Sequence, residues 1–228
     1  MNLRIIYVKM RETRITIISE DKGERNLSSP LFVCDQRSRM GAKYMNKIAI
    51  FLANGVEEIE ALTVVDLVRR AGIEIDMVSI TEERQIISSH KVVIIADKII
   101  EELNFDEVDM IVLPGGMPGT TNLEACEVLM KQVDAFYQAG KYISAICAAP
   151  SILGHRGMLQ GRNACSFPEH ESQLEGAIVT RNEVEVSDFI TTSRGMGCSI
   201  PFGLAIVERF KGKEAAEELS RKIVFQQV

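Results

Sequence analysis

KYISAICAAP, residues 141–150, joins a short apolar run to a proline through a cysteine flanked by small residues. Tyr142, Ile143, Ala145 and Ile146 read as a buried strand, and Ala148 to Leu153 as the first turns of a helix, with Pro150 early enough to be tolerated. Cys147 therefore sits on the joint. A strand that turns straight into a helix bends its joint residue tightly and needs small neighbours, as in the elbow that exposes a nucleophile; Ala145, Ala148 and Ala149 supply them. At that joint the sulfur would face the first unpaired N–H groups of the helix and the positive end of its dipole, which favours thiolate. Free cysteines are among the most buried residues, so residue type alone points to a structural thiol, and it is the joint that singles Cys147 out.

Working outward, the stretch after Met45 repeats the theme of apolar strand, loop and amphipathic helix. Strands are predicted at Ile48 to Leu52, Ile75 to Ile80, Val92 to Ala96 and Met110 to Leu113. A helix is predicted at about Glu58 to Ala71, with Ile59, Leu62, Val65 and Val68 as its apolar stripe. The next carries Cys126, Leu129, Met130, Val133 and Phe136 at helical spacing, which makes Cys126 a core residue. Beyond the elbow a hairpin is predicted from Ala177 to Val179 with Val184 to Thr191. Two helices follow, the first with Ser199 as N-cap and Pro201 just inside, the second from Lys213 to Phe225, with Gly212 between them. Alternating strands and helices predict an α/β fold whose mostly parallel sheet is covered on both faces, with ligands at the carboxyl ends of the strands.

The 228 residues are long enough for one large domain with an appendage. Residues 1–44 differ in texture: IIYV and ITII are broken every few residues by charged side chains, and no independent fold is evident. Either Met45 is the natural first residue or the segment is a β arm on the domain or a partner; a signal peptide is excluded for want of a continuous apolar core. Hydrophobic residues make up 46% and charged residues 25%, with a net charge of −6 and scattered basic residues, which speaks against nucleic acid as a partner. No apolar run reaches the ~20 residues of a membrane span. Five cysteines without a CxxC pair and three histidines suggest neither a disulfide framework nor a metal site, and a reducing cytoplasm fits best.

Three loops leave the carboxyl ends of the predicted parallel strands. ANGVEEIE, residues 53–60, places three glutamates at a helix start. Glu57 and Glu58 suit the dipole there. Glu60 lies one turn in, beside the apolar stripe, where a buried carboxyl would be protonated and could donate to a thiolate. LPGGMPG, residues 113–119, lets Gly115 and Gly116 turn backbone N–H groups inward as a nest for an anion. The elbow with Cys147 is the third, and Ser193 to Gly197 adds a glycine-bent loop able to close over it.

ANGVEEIE, RRAG (69–72), VLPGG (112–116), AICAAP (145–150), TSRGMG (192–197) and FGLAIVE (202–208), in this order and spacing, resemble the DJ-1/ThiJ/PfpI superfamily, in particular its DJ-1-like branch with bacterial homologues. The resemblance runs from Met45 to Val228. It implies a flavodoxin-like three-layer sandwich and a homodimer with contacts through the helix containing Arg69 and Arg70. It also implies a reactive cysteine, here Cys147, hydrogen-bonded to a protonated glutamate, here Glu60, and a backbone oxyanion pocket at Gly115, Gly116 and Ala148. Peptidase-like members carry a histidine directly after the cysteine, where this chain has Ala148, so peptidase activity is disfavoured. Members with good glyoxalase activity carry a histidine before a proline, where this chain has Phe167-Pro168. His170, Ser193 and His90 of the partner subunit are the auxiliary candidates. The implied function is cysteine-dependent protection against reactive dicarbonyls or their adducts on side chains, of deglycase or glyoxalase type, with no cofactor. The alternative is a redox-sensing or chaperone-like protein in which oxidation of Cys147 is the event and turnover is incidental.

Overall fold

The computed structural model describes residues 7–11, 14–18 and 46–225. The backbone divides into two units, Met1–Lys43 and Tyr44–Val228. In the first, β1 (Tyr7–Arg11) and β2 (Arg14–Ile18) pair antiparallel with Tyr7 opposite Ile18. Residues 19–45, including Cys34, lie outside the described residues.

The second unit starts with β3 (Lys47–Leu52), followed by α1 (Glu58–Arg70), β4 (Glu74–Ser79), β5 (Gln85–Ile87), β6 (Val93–Ile95), β7 (Lys98–Ile99) and β8 (Met110–Leu113). It continues through α2 (Gly119–Ala125), α3 (Glu127–Ala139), β9 (Tyr142–Ile146), α4 (Pro150–His155), β10 (Asn163–Ala164), β11 (Ile178–Val179), β12 (Val184–Ser187) and β13 (Ile190–Ser193), and closes with α5 (Ser199–Lys211) and α6 (Lys213–Lys222). The main sheet has the order β12-β13-β9-β8-β3-β4-β7, parallel throughout except where β12 meets β13.

A strand covered on both faces is apolar along its covered length, and Ile48 to Leu52 of β3 and all four residues of β8 are buried. Successive side chains then serve opposite layers. Ile48, Ile50, Leu52, Met110 and Val112 pack with Val64 and Val68 of α1 and Phe202 and Ile206 of α5. Ala49, Phe51, Ile111, Leu113 and Ile143 pack on the other face with Leu123 of α2, Leu129 and Val133 of α3 and Ile152 of α4. This is the flavodoxin-like sandwich the sequence predicts. Each fully buried aliphatic or aromatic side chain here contributes about 1.5 to 3 kcal/mol of transfer free energy.

Four local expectations are corrected. In α1 the buried face is Ala61, Val64, Val65, Leu67 and Val68, whereas Ile59 and Leu62 are 47% and 36% exposed. The predicted strand at Val92 to Ala96 does not join the main sheet; its middle, β6, pairs antiparallel with β5. Val184 to Thr191 is not one strand, because Asp188 takes a left-handed φ of 52° and turns β12 back onto β13, while β11 pairs in parallel with β10. Ser199 is not the N-cap of α5, since its hydroxyl donates to the Met196 carbonyl at 2.7 Å and Cys198 occupies that position.

All seven strands of the main sheet lie beyond Met45. A chain beginning at Met45 is therefore expected to melt within about 2 to 4 °C of the full chain, the shift that roughly 1 kcal/mol produces at this size. A larger drop in a thermal melt would make the extension part of the core.

Candidate active site

The loops after β3, β8 and β9 emerge side by side at the carboxyl edge of the sheet, around the β3/β8 boundary where the strand order reverses and α/β folds place their ligands. Cys147 is held there in a left-handed conformation, φ 65°. Such a φ costs a non-glycine residue about 1 to 3 kcal/mol and persists only where the surroundings over-determine it. They do: Cys147 N–H donates to the Ser193 carbonyl at 3.0 Å, and Phe167 N–H donates to the Cys147 carbonyl at 2.8 Å. Pro150 opens α4 at a position where no N–H is needed.

Glu60 is 0% exposed. The Glu57 side chain caps α1 by accepting from Glu60 N–H at 2.7 Å, which fixes the first turn and aims the Glu60 carboxyl inward along the face of Ala61 and Val64. Gly115 N–H donates to Glu60 Oε2 at 2.9 Å. The other oxygen, Oε1, is buried without an aligned partner, and a carbon attached to Gly195 would stand 4.0 Å from both this atom and Cys147 Sγ. At Gly115 a side-chain carbon would lie 2.5 Å from Cys147 Cβ and 2.7 Å from Glu60 Oε2, so only glycine lets thiol and carboxyl approach. Gly116, at φ 89°, passes equally close to the Gly55 carbonyl.

Burial pushes the Glu60 carboxyl up to about 7, against the pull of the Cys147 thiol and the Gly115 N–H. Burial likewise pushes the Cys147 thiol up to about 12, and the charge and hydrogen bond of Glu60 add to it; only the Gly116 and Ala148 N–H groups act the other way. The helix start therefore does not lower this thiol as the sequence suggests. Two buried acids face each other, and the one that ionises first holds back the second.

The predicted site residues divide accordingly. The structure brings Cys147, Glu60, Gly116 and Ala148 together. Gly115 is part of the site but not a free oxyanion donor, because its N–H is committed to Glu60 and its carbonyl to Glu57 N–H. Ser193 contributes its backbone, while its hydroxyl donates to the Glu183 carbonyl at 2.7 Å. His90 is exposed and its Nδ1 lies 3.1 Å from Glu58 of the same chain. His170 sits on the 3-10 turn Pro168–Gln173 and its Nδ1 is buried without a partner. Ligand atoms of Glu57, Glu58 and His90 lie within 4.8 Å of one another, but Glu57 is engaged at the helix cap and Glu58 with the imidazole. Gly195, at which a side-chain carbon would stand 4.0 Å from Sγ and 3.4 Å from Phe167 Cδ2, is a site residue that the sequence marks only through its Gly-Met-Gly loop.

A model of the DJ-1/PfpI family matches residues 46–209. The chain belongs to the DJ-1/PfpI family. Over 182 residues it is 33% identical to protein DJ-1 homolog B of Arabidopsis thaliana, covering 79% of this chain but 42% of that one, so it spans less than half of that relative. It is 30% identical over 169 residues, 73% of this chain and 89% of the other, to a Caenorhabditis elegans protein named glutathione-independent glyoxalase DJR-1.2. The solved structure of oxidized Toxoplasma gondii DJ-1 superposes with a TM-score of 0.77 at 32% identity, covering 80% of this chain and 100% of that one. These DJ-1 neighbours share the α/β sandwich described above. Among the described residues, no helix is long and apolar enough to cross a membrane.

Proposed function

We propose that this DJ-1-type protein is a cysteine-dependent stress-protection enzyme acting on reactive dicarbonyls or their adducts, with Cys147 as nucleophile and Glu60 as its base. The observation that carries this is the Glu60 carboxyl, fully buried against Cys147 and raised to about 7, which matches a general base working near neutral pH. A relative at 30% identity is named a glyoxalase, which supports the substrate class.

With a 2-oxoaldehyde, Cys147 Sγ forms a bond to the aldehyde carbon as its proton passes to Glu60. The carbonyl electron pair moves to oxygen, and the Gly116 and Ala148 N–H groups, which face the sulfur, stabilise the charge that develops there. Movement of the aldehyde hydrogen to the neighbouring carbonyl carbon as a proton converts the adduct to a thioester of a 2-hydroxy acid, with Glu60 as carrier. Water then releases the acid and returns the thiol. The aldehyde carbon is oxidised and the ketone reduced within one molecule, so the balance asks for no external oxidant and no cofactor. Phe167, where a histidine would stand in glyoxalase-active members, leaves Glu60 as the base. Steady-state conversion of methylglyoxal to lactate, lost in Cys147→Ala, is the test.

A second reading rests on the same sulfur. Cys147 is part-exposed and two N–H groups face it, so its sulfinate would be accepted in this pocket, and oxidation could be the signal. Stoichiometric consumption of aldehyde without turnover would favour that reading. For the homodimer, the outward apolar Ile59 and Leu62 on α1, the helix that carries Arg69 and Arg70, give a surface with reason to be covered, and members of the family are commonly dimeric. The four described cysteines are free, which suits a reducing cytoplasm.

A further inference from the structure

Three solvent-exposed apolar residues belong to the loops that hold the Cys147–Glu60 pair: Met117, Phe167 and Met196, exposed by 53%, 40% and 55%. Each is tied to the reactive atoms through its backbone. Met117 follows Gly116, whose N–H faces Sγ. Phe167 donates its N–H to the Cys147 carbonyl at 2.8 Å. Met196 follows Gly195, at which a side-chain carbon would lie 4.0 Å from Sγ and 3.4 Å from Phe167 Cδ2. Of the polar side chains beside them, Arg194 pairs through Nη2 with Glu171 at 3.5 Å while its Nε is buried without a partner, and Ser193 donates to the Glu183 carbonyl. The rim thus offers an aromatic face and two flexible thioethers, groups that close around apolar bodies of varied shape.

A substrate whose aldehyde carbon sits on Sγ must lay its substituent against this rim. Methylglyoxal has a single methyl group to place there. We infer that the preferred substrates are 2-oxoaldehydes carrying an aryl or larger alkyl group, and that Met117, Phe167 and Met196 set this preference. The inference rests on Cys147 being the nucleophile. The bonds made and broken are those given above: phenylglyoxal plus water yields mandelate, with the aldehyde carbon oxidised, the ketone reduced and the thiol regenerated.

The test compares kcat/KM for phenylglyoxal and methylglyoxal in the wild type and in Met117→Ser/Met196→Ser. Burial of the larger group is expected to favour phenylglyoxal by about 10- to 100-fold in the wild type. In the double variant the ratio should fall about tenfold, through KM for phenylglyoxal rather than kcat. A wild-type ratio near one, or a ratio unmoved by the substitutions, would overturn the inference while leaving the nucleophile in place. Absence of both activities from the wild type would instead count against the catalytic reading, and a measurement independent of turnover covers a double variant that fails to fold. Mandelate is expected to protect wild-type Cys147 from iodoacetamide at a concentration at least about tenfold lower than lactate does. Equal protection would sink the preference.

Discussion

Cys147→Ala is expected to lower dicarbonyl turnover by at least about 10⁴-fold, the scale on which removing a covalent nucleophile acts when the rest of the site survives. The fold should hardly notice the change. Cys147 is held by backbone hydrogen bonds to Ser193 and Phe167 that alanine keeps, and its side chain is only part-buried at the edge of the core. Cys147→Gly sharpens the point, because glycine adopts the observed φ of 65° without the penalty that any side chain carries. The glycine variant is expected to be equally inactive yet more stable than the alanine variant by about 1 kcal/mol, or about 2 to 4 °C in a thermal melt. Retained steady-state turnover in either variant would remove Cys147 from the chemistry. A glycine variant no more stable than the alanine one would show that the elbow is not strained.

Glu60→Gln carries the second large effect. The amide keeps the shape and can still accept from Gly115 N–H, but it cannot take up a proton, so turnover is expected to fall by about 10² to 10⁴. The same substitution changes the dependence of stability on pH. In the unfolded chain this carboxyl titrates at its ordinary 4.5, and in the folded protein burial holds the proton to about 7. Between those values the folded state binds more protons than the unfolded state, so stability is greatest below 4.5 and declines as pH rises through 7. A shift of this size corresponds to roughly 3 kcal/mol. The thiol, raised from 9.0 to about 12 by burial and by Glu60, extends the decline above pH 9. Urea unfolding from pH 4 to pH 8 should show the lower-range loss in the wild type and a nearly flat curve in Glu60→Gln. Parallel curves would mean that the Glu60 carboxyl ionises normally and is not the buried base.

Much of this architecture was legible because its causes are local. A strand buried on both faces must be continuously apolar, so Ile48 to Leu52 and Met110 to Leu113 identify themselves. The joint at Cys147 is marked by alanines and an early proline for steric reasons. The misses are non-local. Short apolar runs such as Gln85–Ile87 and Val93–Ile95 do not say whether they pair with each other or with the main sheet. The reversal at Asp188 depends on a left-handed residue that is not glycine. Which of two adjacent glycine amides meets Glu60 and which meets sulfur is set by the approach of three loops, so the sequence assigned Gly115 and Gly116 one shared role where the structure gives them two. The direction in which the Cys147 thiol shifts was out of reach for another reason: the helix start and the Glu60 carboxyl are both visible in sequence, but the depth of burial that outweighs the helix start is not.

Glu60 is expected to govern the reactivity of Cys147, and the pH profile of iodoacetamide alkylation, read at each cysteine by mass spectrometry, tests this most directly. In the wild type Cys147 is expected to label first at neutral pH, with an inflection near 7, because the ionised Glu60 carboxylate takes the thiol proton as the sulfur attacks, whereas Cys165, raised to about 11 by burial, has no such base. In Glu60→Gln the inflection near 7 should disappear, leaving only labelling that rises with the ionisation of the thiol itself, which burial still holds above 9. Superimposable Cys147 profiles in the two proteins, or labelling of Cys198 or Cys165 ahead of Cys147, would contradict it.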